Sequence, residues 1–181
     1  TGLGKSPKVR AWGEIGLDFN RMFSSRQEQE KWFERQLDQA DELRLPIIFH
    51  ERDSKGRFLE ILKTHYKKRT GVVHCFSGNQ KEMEEYLELG LYIGLTGILT
   101  LKTRGAELRR LAPLIPINRI LIETDAPFLT PAPEKNHTRR NEPAFVRSVW
   151  LKLAKVRNED PEYLADVLWE NTCRLYNISD L

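Results

Sequence analysis

The chain has 181 residues, 40% of them hydrophobic and 30% charged, which suits one domain with a sizeable core and excludes wholesale disorder. No apolar run approaches the roughly 18 residues of a membrane span, no secretory signal opens the sequence, and two cysteines outside any CxxC pair make no disulfide framework. Lys+Arg 29 against Asp+Glu 26 leaves a net charge of +3, which permits a phosphate-bearing partner without demanding one.

Along the chain, short β-branched runs alternate with longer helical patterns. Val9 to Ile15 is the first strand-like run. Phe33, Leu37 and Ala40 then recur at i, i+4 and i+7, which predicts a helix over about 26–43. Pro46 resets the backbone before Ile47-Ile48-Phe49, a buried strand ending at His50. Phe58, Ile61 and Leu62 mark a second helix, and Gly71 leads into a strand over Val72-Val73-His74-Cys75-Phe76. Met83, Tyr86 and Leu87 mark a third helix that stops near Gly90. Leu91 to Thr96 reads as the fourth strand, Leu108 to Ala112 as a short helix ending before Pro113, and Arg119 to Asp125 as the fifth strand. A long basic, Pro-containing loop covers 126–140, after which Asn141 is placed to cap a helix carrying Phe145, Val149, Leu153 and Val156. Leu164, Val167, Leu168 and Leu175 stripe a last helix. Five strands separated by helices predict an α/β fold with parallel strands. No Gly-rich dinucleotide or phosphate loop follows any strand.

Four ionisable residues recur at one topological place. Glu14, His50, His74 and Asp125 each end, or nearly end, an apolar strand run. Parallel strands joined by right-handed crossovers finish on one face, so these side chains are expected to converge where barrel-type active sites lie. Each alone has a bland reading: a histidine after a strand is commonly a hydrogen-bonded structural residue, and Asp125 could begin a turn. Together, two imidazoles and two carboxylates suit Zn²⁺, Mn²⁺ or Fe²⁺ better than Mg²⁺. His65 reads as a surface residue on a helix. His137 lies in the basic loop Lys135 to Arg140, where phosphate contact competes with simple solvation. Cys75 is expected on the opposite side of its strand from His74, in core packing.

At these residues the sequence resembles the TatD family of metal-dependent hydrolases, in particular its bacterial members. The matching stretches are Gly13-Glu14-Ile15-Gly16-Leu17-Asp18-Phe19, Pro46 to Asp53, His74-Cys75-Phe76-Ser77-Gly78, Ile122 to Pro127, and Arg140-Asn141-Glu142-Pro143, with Asn171-Thr172 near the end. The resemblance implies a TIM-type (β/α) barrel of the metallo-dependent hydrolase kind, and a deoxyribonuclease acting as a 3′-5′ exonuclease on single-stranded DNA, in the class of DNA repair enzymes. It implies that Glu14 bridges two divalent ions (Mg²⁺, Mn²⁺ or Zn²⁺), that His50 and His74 ligate one of them, and that Asp125 binds metal and helps activate water. Arg52 and Arg140 fall at matching motif positions and, with His137, are candidates for phosphate contact. A monomeric, cytoplasmic protein with no membrane partner is expected.

The resemblance also implies a His-x-His pair at the end of a first strand, and none of the four histidines, His50, His65, His74 and His137, are two apart. A complete barrel takes about 250 residues, so the expectation is a single partial barrel domain over 1–181 that lacks its first two βα units. Reduced activity follows for such a chain, together with an apolar edge left unpaired over Val9 to Ile15. Two alternatives keep their place: a metal-dependent D-aminoacyl-tRNA deacylase or other ester hydrolase on the same fold, and an inactive remnant serving as an interaction module.

Overall fold

The computed structural model describes residues 2–67 and 70–178. The first strand, β1 (Trp12–Asp18), runs into a polar loop and then α1 (Arg26–Leu43). Ser25 starts that helix, its side-chain oxygen accepting a hydrogen bond from Glu28 N, and Arg44 ends it in a left-handed conformation. Phe33, Leu37 and Ala40 are the helix's buried residues, the stripe expected from their spacing. β2 (Ile47–Arg52) and α2 (Arg57–His65) follow, then β3 (Gly71–Val73) and α3 (Gln80–Glu88). A capping box opens α3: Asn79 accepts from Glu82 N while the Glu82 carboxylate accepts from Asn79 N. β4 (Tyr92–Leu95), α4 (Ala106–Leu111) and β5 (Ile120–Ile122) complete the alternation, and α5 (Ala132–Lys135), α6 (Val146–Arg157) and α7 (Pro161–Tyr176) close the chain.

All four strand pairings are parallel, and the order is β1-β2-β3-β4-β5. Each crossover therefore moves one place in the same direction, the winding of a barrel rather than the reversal that makes a doubly wound sheet. Alternate residues serve the two faces. Ile47, Phe49, Val73, Ile93 and Ile120 join the main core with helical residues, whereas Ile48, Val72, Tyr92 and Leu121 meet Leu175 and Tyr176 of α7 on the other face. In the main core Phe33 stacks on Phe58 at 5.0 Å between centroids, and Phe49 meets both edge-on. β1 and β5 are the outer strands among the described residues, β1 pairing only with β2. Beside β1, a cavity of about 700 Å³ is lined by Leu3, Val9, Trp12, Trp32 and Glu14 among others. No described helix is long and apolar enough to cross a membrane.

Several boundaries differ from the sequence expectations. The third strand stops at Val73 and the fifth at Ile122, because Cys75 (φ 50°) and Asp125 (φ 59°) take left-handed backbone that leaves the ladder. The helix expected to stop before Pro113 continues as a 3₁₀ turn over Ala112–Leu114. The loop at 126–140 contains the short helix α5. Asn141 does not cap α6, which is preceded by a 3₁₀ turn over Pro143–Phe145 with Glu142 at its N-cap. Asn141 is instead buried, its Nδ2 donating to Thr124 O at 2.8 Å and Phe128 O at 2.7 Å. It pins the loop that follows β5 to the end of that strand.

Candidate metal centre

The ligand atoms of Glu14, His50 and His74 come together, and His74 in turn meets Asp125. His74 and Asp125 follow the ends of β3 and β5 as expected, but Glu14 does not end its strand: β1 runs on to Asp18, and His50 likewise lies inside β2. A register shift between Gly13 and Ile15 makes Glu14 the extra residue of β1 against β2, and such a bulge re-aims its side chain. Gly16 (φ 148°) lies so close to the His50 backbone that a Cβ there would collide with the His50 carbonyl oxygen. This close approach brings β1 and β2 together just where their two ligands emerge.

His50 Nδ1 is 2.5 Å from Glu14 Oε1, and His50 Nε2 is 3.4 Å from Asp18 Oδ2. Asp18 is itself held by the Asn20 and Arg21 backbone amides at 3.0 and 2.8 Å. The imidazole is thus gripped at both nitrogens, with Nδ1 facing the cluster. His74 is fixed differently. Its Nδ1 donates to Glu123 Oε2 at 2.9 Å, which turns Nε2 toward Glu14 Oε1 at 3.8 Å and Asp125 Oδ1 at 3.7 Å. Glu123 also accepts from Cys75 N at 2.6 Å, and Gly94 makes room for it, since a Cβ there would stand 2.8 Å from Glu123 Oε1.

Ligand atoms of Glu14, His50 and His74 all lie within 4.8 Å of one another, and those of His74, Cys75 and Asp125 form a second such group. Ligands on one tetrahedral zinc stand roughly 3.4 Å apart, a spacing that the 2.5 and 3.8 Å separations around Glu14 Oε1 bracket. The donor set therefore fits a divalent ion of borderline softness. The residues around the imidazoles are those a metal site uses to set tautomer and ring angle.

The electrostatics agree. The hydrogen bond from His50 holds the Glu14 carboxyl below its usual range, and the same bond raises His50. Burial would lower His74, but Glu123, Glu14 and Asp125 outweigh it and the group is raised. Burial pushes the Asp125 carboxyl up, against the pull of His74. Burial also raises the Cys75 thiol to about 11.

Cys75 departs from the expected geometry. The strand has ended before it, so alternation no longer applies, and its Sγ lies on the site side near His74 and Asp125 while also packing against the core. The protonated thiol sits 3.6 Å from Thr96 Oγ1 and is a poor ligand in that state.

A cavity of about 740 Å³ opens onto His50, His74 and Asp125. Arg52 lines it. Arg140 and His137 do not; their neighbours Arg139 and Lys135 do, together with Arg21 and Arg104. Thr130 Oγ1 donates to Arg139 O at 2.9 Å, which holds that stretch of loop against the cavity and leaves Arg140 outside it. Asp18, Glu123, Arg21 and Arg104 were not singled out from the sequence. Asp18 and Glu123 lie within the resemblance motifs, four residues after Glu14 and two before Asp125, a position that could have flagged both.

The sequence model of the TatD-related DNase family matches residues 2–177. A "3′-5′ ssDNA/RNA exonuclease TatD" of Citrobacter koseri is 47% identical over 180 residues, covering 98% of this chain and 69% of the relative. The protein of the same name from Escherichia coli K12 is 44% identical with the same coverage. Among solved structures, a TatD homologue of Escherichia coli superposes with a TM-score of 0.84 at 32% identity, covering 96% of this chain and 66% of that one. A TatD family hydrolase of Entamoeba histolytica gives 0.83 at 29% identity, covering 93% and 64%. The chain thus spans about two thirds of the length of these relatives, and the five parallel strands are the corresponding part of their barrel.

Proposed function

The chain belongs to the TatD family of DNases, and from that membership we propose that it serves a divalent-metal-dependent 3′-5′ exonuclease that hydrolyses phosphodiester bonds in single-stranded DNA. The observation that carries this reading is the convergence of Glu14, His50, His74 and Asp125, from four different strands or the loops after them, into two groups of ligand atoms that share His74, with His50, His74 and Asp125 lining a cavity rich in arginine.

Phosphodiesters resist hydrolysis because their own negative charge repels the nucleophile. A divalent ion in this donor set supplies Lewis acidity and lowers the pKa of water. Glu14, whose Oε1 lies near both imidazoles, would be a shared donor if the site held more than one ion. Asp125, 3.7 Å from His74 Nε2, would accept the proton of the attacking water, a role that needs reach and an ionised carboxylate. Asp18 and Glu123 hold the two histidines in their ligating tautomers. Arg52, Arg104 and Arg139 face the same cavity and hold flanking phosphates without reading bases. The His-x-His pair implied by the resemblance is not among these residues, so turnover by the 181-residue chain is expected to be low.

The test is a 5′-labelled single-stranded oligonucleotide incubated with the chain and with Mg²⁺, Mn²⁺ or Zn²⁺. The expected result is a ladder shortening from the 3′ end that chelation stops and Asp125→Ala abolishes. Metal-loaded protein that hydrolyses an aminoacyl ester but no phosphodiester would overturn the reading.

A further inference from the structure

Two large apolar side chains stand in solvent at the cavities that open on the metal centre. Phe23 is 87% exposed and Phe128 62%, and no other phenylalanine among the described residues is classed as exposed. Phe23 lines a recess of about 320 Å³ together with Glu14, Asp18 and His50. Phe128 lines the larger cavity that holds His50, His74 and Asp125. The two rings thus flank the cluster from loops on different strands. A lone exposed apolar residue needs no explanation, but two flat rings in recesses that share His50 and Arg21 do.

Neither ring is exposed by slack in its loop. Gln29 Nε2 donates to Asp18 O and Ser24 O, while its Oε1 accepts from Asp18 N, which ties down both ends of the turn carrying Phe23. Buried Asn141 donates to the Phe128 carbonyl, and Phe128 N donates to Asp125 O at 2.8 Å. Phe128 is therefore held directly on the backbone of a candidate catalytic residue. Arg21 approaches the Phe23 ring at 6.0 Å and also lines both recesses, so a cation stands beside this ring.

We propose that Phe23 and Phe128 are stacking platforms for the bases on either side of the bond being cut, and that they make the site selective for unpaired strand. The proposal rests on the phosphodiester reading given above and adds the group that recognises the base. An unpaired base has a free face to lay on a ring, whereas a base in duplex has both faces covered by its neighbours. Stacking accepts any base, which suits an enzyme that trims a strand end whatever its sequence, and the flanking arginines supply the backbone contacts.

The test measures binding, so that it does not depend on turnover. Labelled dT pentamers with phosphorothioate linkages are titrated by anisotropy, intact or with abasic sugars at every position, so that charge is constant and only the bases differ. The native chain is expected to favour the intact pentamer by roughly ten-fold or more. Phe23→Ala and Phe128→Ala should each shrink that ratio, with little change for the abasic strand, and Phe→Trp at either position should restore it. An unchanged ratio in the double alanine variant overturns the proposal, as does a native chain that binds both strands equally. Base-dependent binding by a metal-loaded chain that hydrolyses an aminoacyl ester but no phosphodiester would leave the platforms standing and overturn the exonuclease reading. Hydrolysis indifferent to both rings would do the reverse.

Discussion

Glu123 Oε2 lies 2.9 Å from His74 Nδ1, joining residues 49 apart in the chain. This contact decides which imidazole nitrogen faces the cluster. Replacing Glu123 with Gln keeps the shape but removes the charge that favours Nδ1–H. Divalent-ion affinity is expected to fall about 10- to 100-fold, as for other carboxylates that orient a ligating histidine. Competition with a chromophoric chelator measures it, and an unchanged affinity would mean that Glu123 does not orient His74.

Glu14 touches both imidazoles, so its loss should be felt by both. Glu14→Ala is expected to abolish the rise in melting temperature that saturating Zn²⁺ or Mn²⁺ produces in the native chain. Differential scanning fluorimetry with and without the ion reads this directly. A retained shift would place the ion elsewhere.

The metal-free and metal-bound proteins should respond to pH with opposite signs. The folded pKa of His50 is raised from 6.5 by Glu14, so its stabilising contribution is complete below that value and is lost as pH rises through the raised one. Glu14 and Asp18 are lowered from 4.5 and 3.8, so theirs is complete above those values and is lost as pH falls through the lowered ones. Chelator-treated protein should therefore melt higher near about pH 5.5 than near about pH 8. Metal affinity should instead increase over the same interval, because ligation displaces the imidazole protons. Melting curves and metal titrations at the two pH values check both directions.

Gly16 can be replaced only at a cost. Its φ of 148° and the nearness of the His50 carbonyl leave no room for a methyl group. Gly16→Ala should destabilise the fold by about 1–3 kcal/mol and weaken metal binding, since it pushes apart the strands that present Glu14 and His50. Phe33→Ala, in the aromatic core, should cost about 3–5 kcal/mol while leaving ligand geometry less affected. Urea denaturation and metal titration on both variants separate the two effects.

Much of this arrangement could be read before folding was considered. The stripe Phe33, Leu37, Ala40 defines α1 at its observed limits, because a burial period of 3.6 residues is a property of local sequence. His74 and Asp125 are legible as residues that follow strand ends, whereas β1 and β2 run on past Glu14 and His50 to Asp18 and Arg52. What resisted was everything decided by backbone that leaves regular structure. Cys75 was expected to face away from His74, but alternation fails once φ turns positive. Asn141 has the composition of a helix cap, yet its amide is taken by two carbonyls in the preceding loop. Arg139 rather than Arg140 reaches the cavity because Thr130 fixes that stretch of loop, a contact that spans nine residues and has no periodic signature.

The linear order of the sheet gives the metal centre one more property. Glu14 lies in β1, His50 in β2, His74 follows β3 and Asp125 follows β5, so no two donors come from the same local segment. Any slip of register or detachment of an outer strand removes a donor before it disturbs most of the core. Ion affinity in this protein is therefore a gauge of alignment across the sheet, and bound ions at saturating concentration act as rivets through the strands that supply their donors.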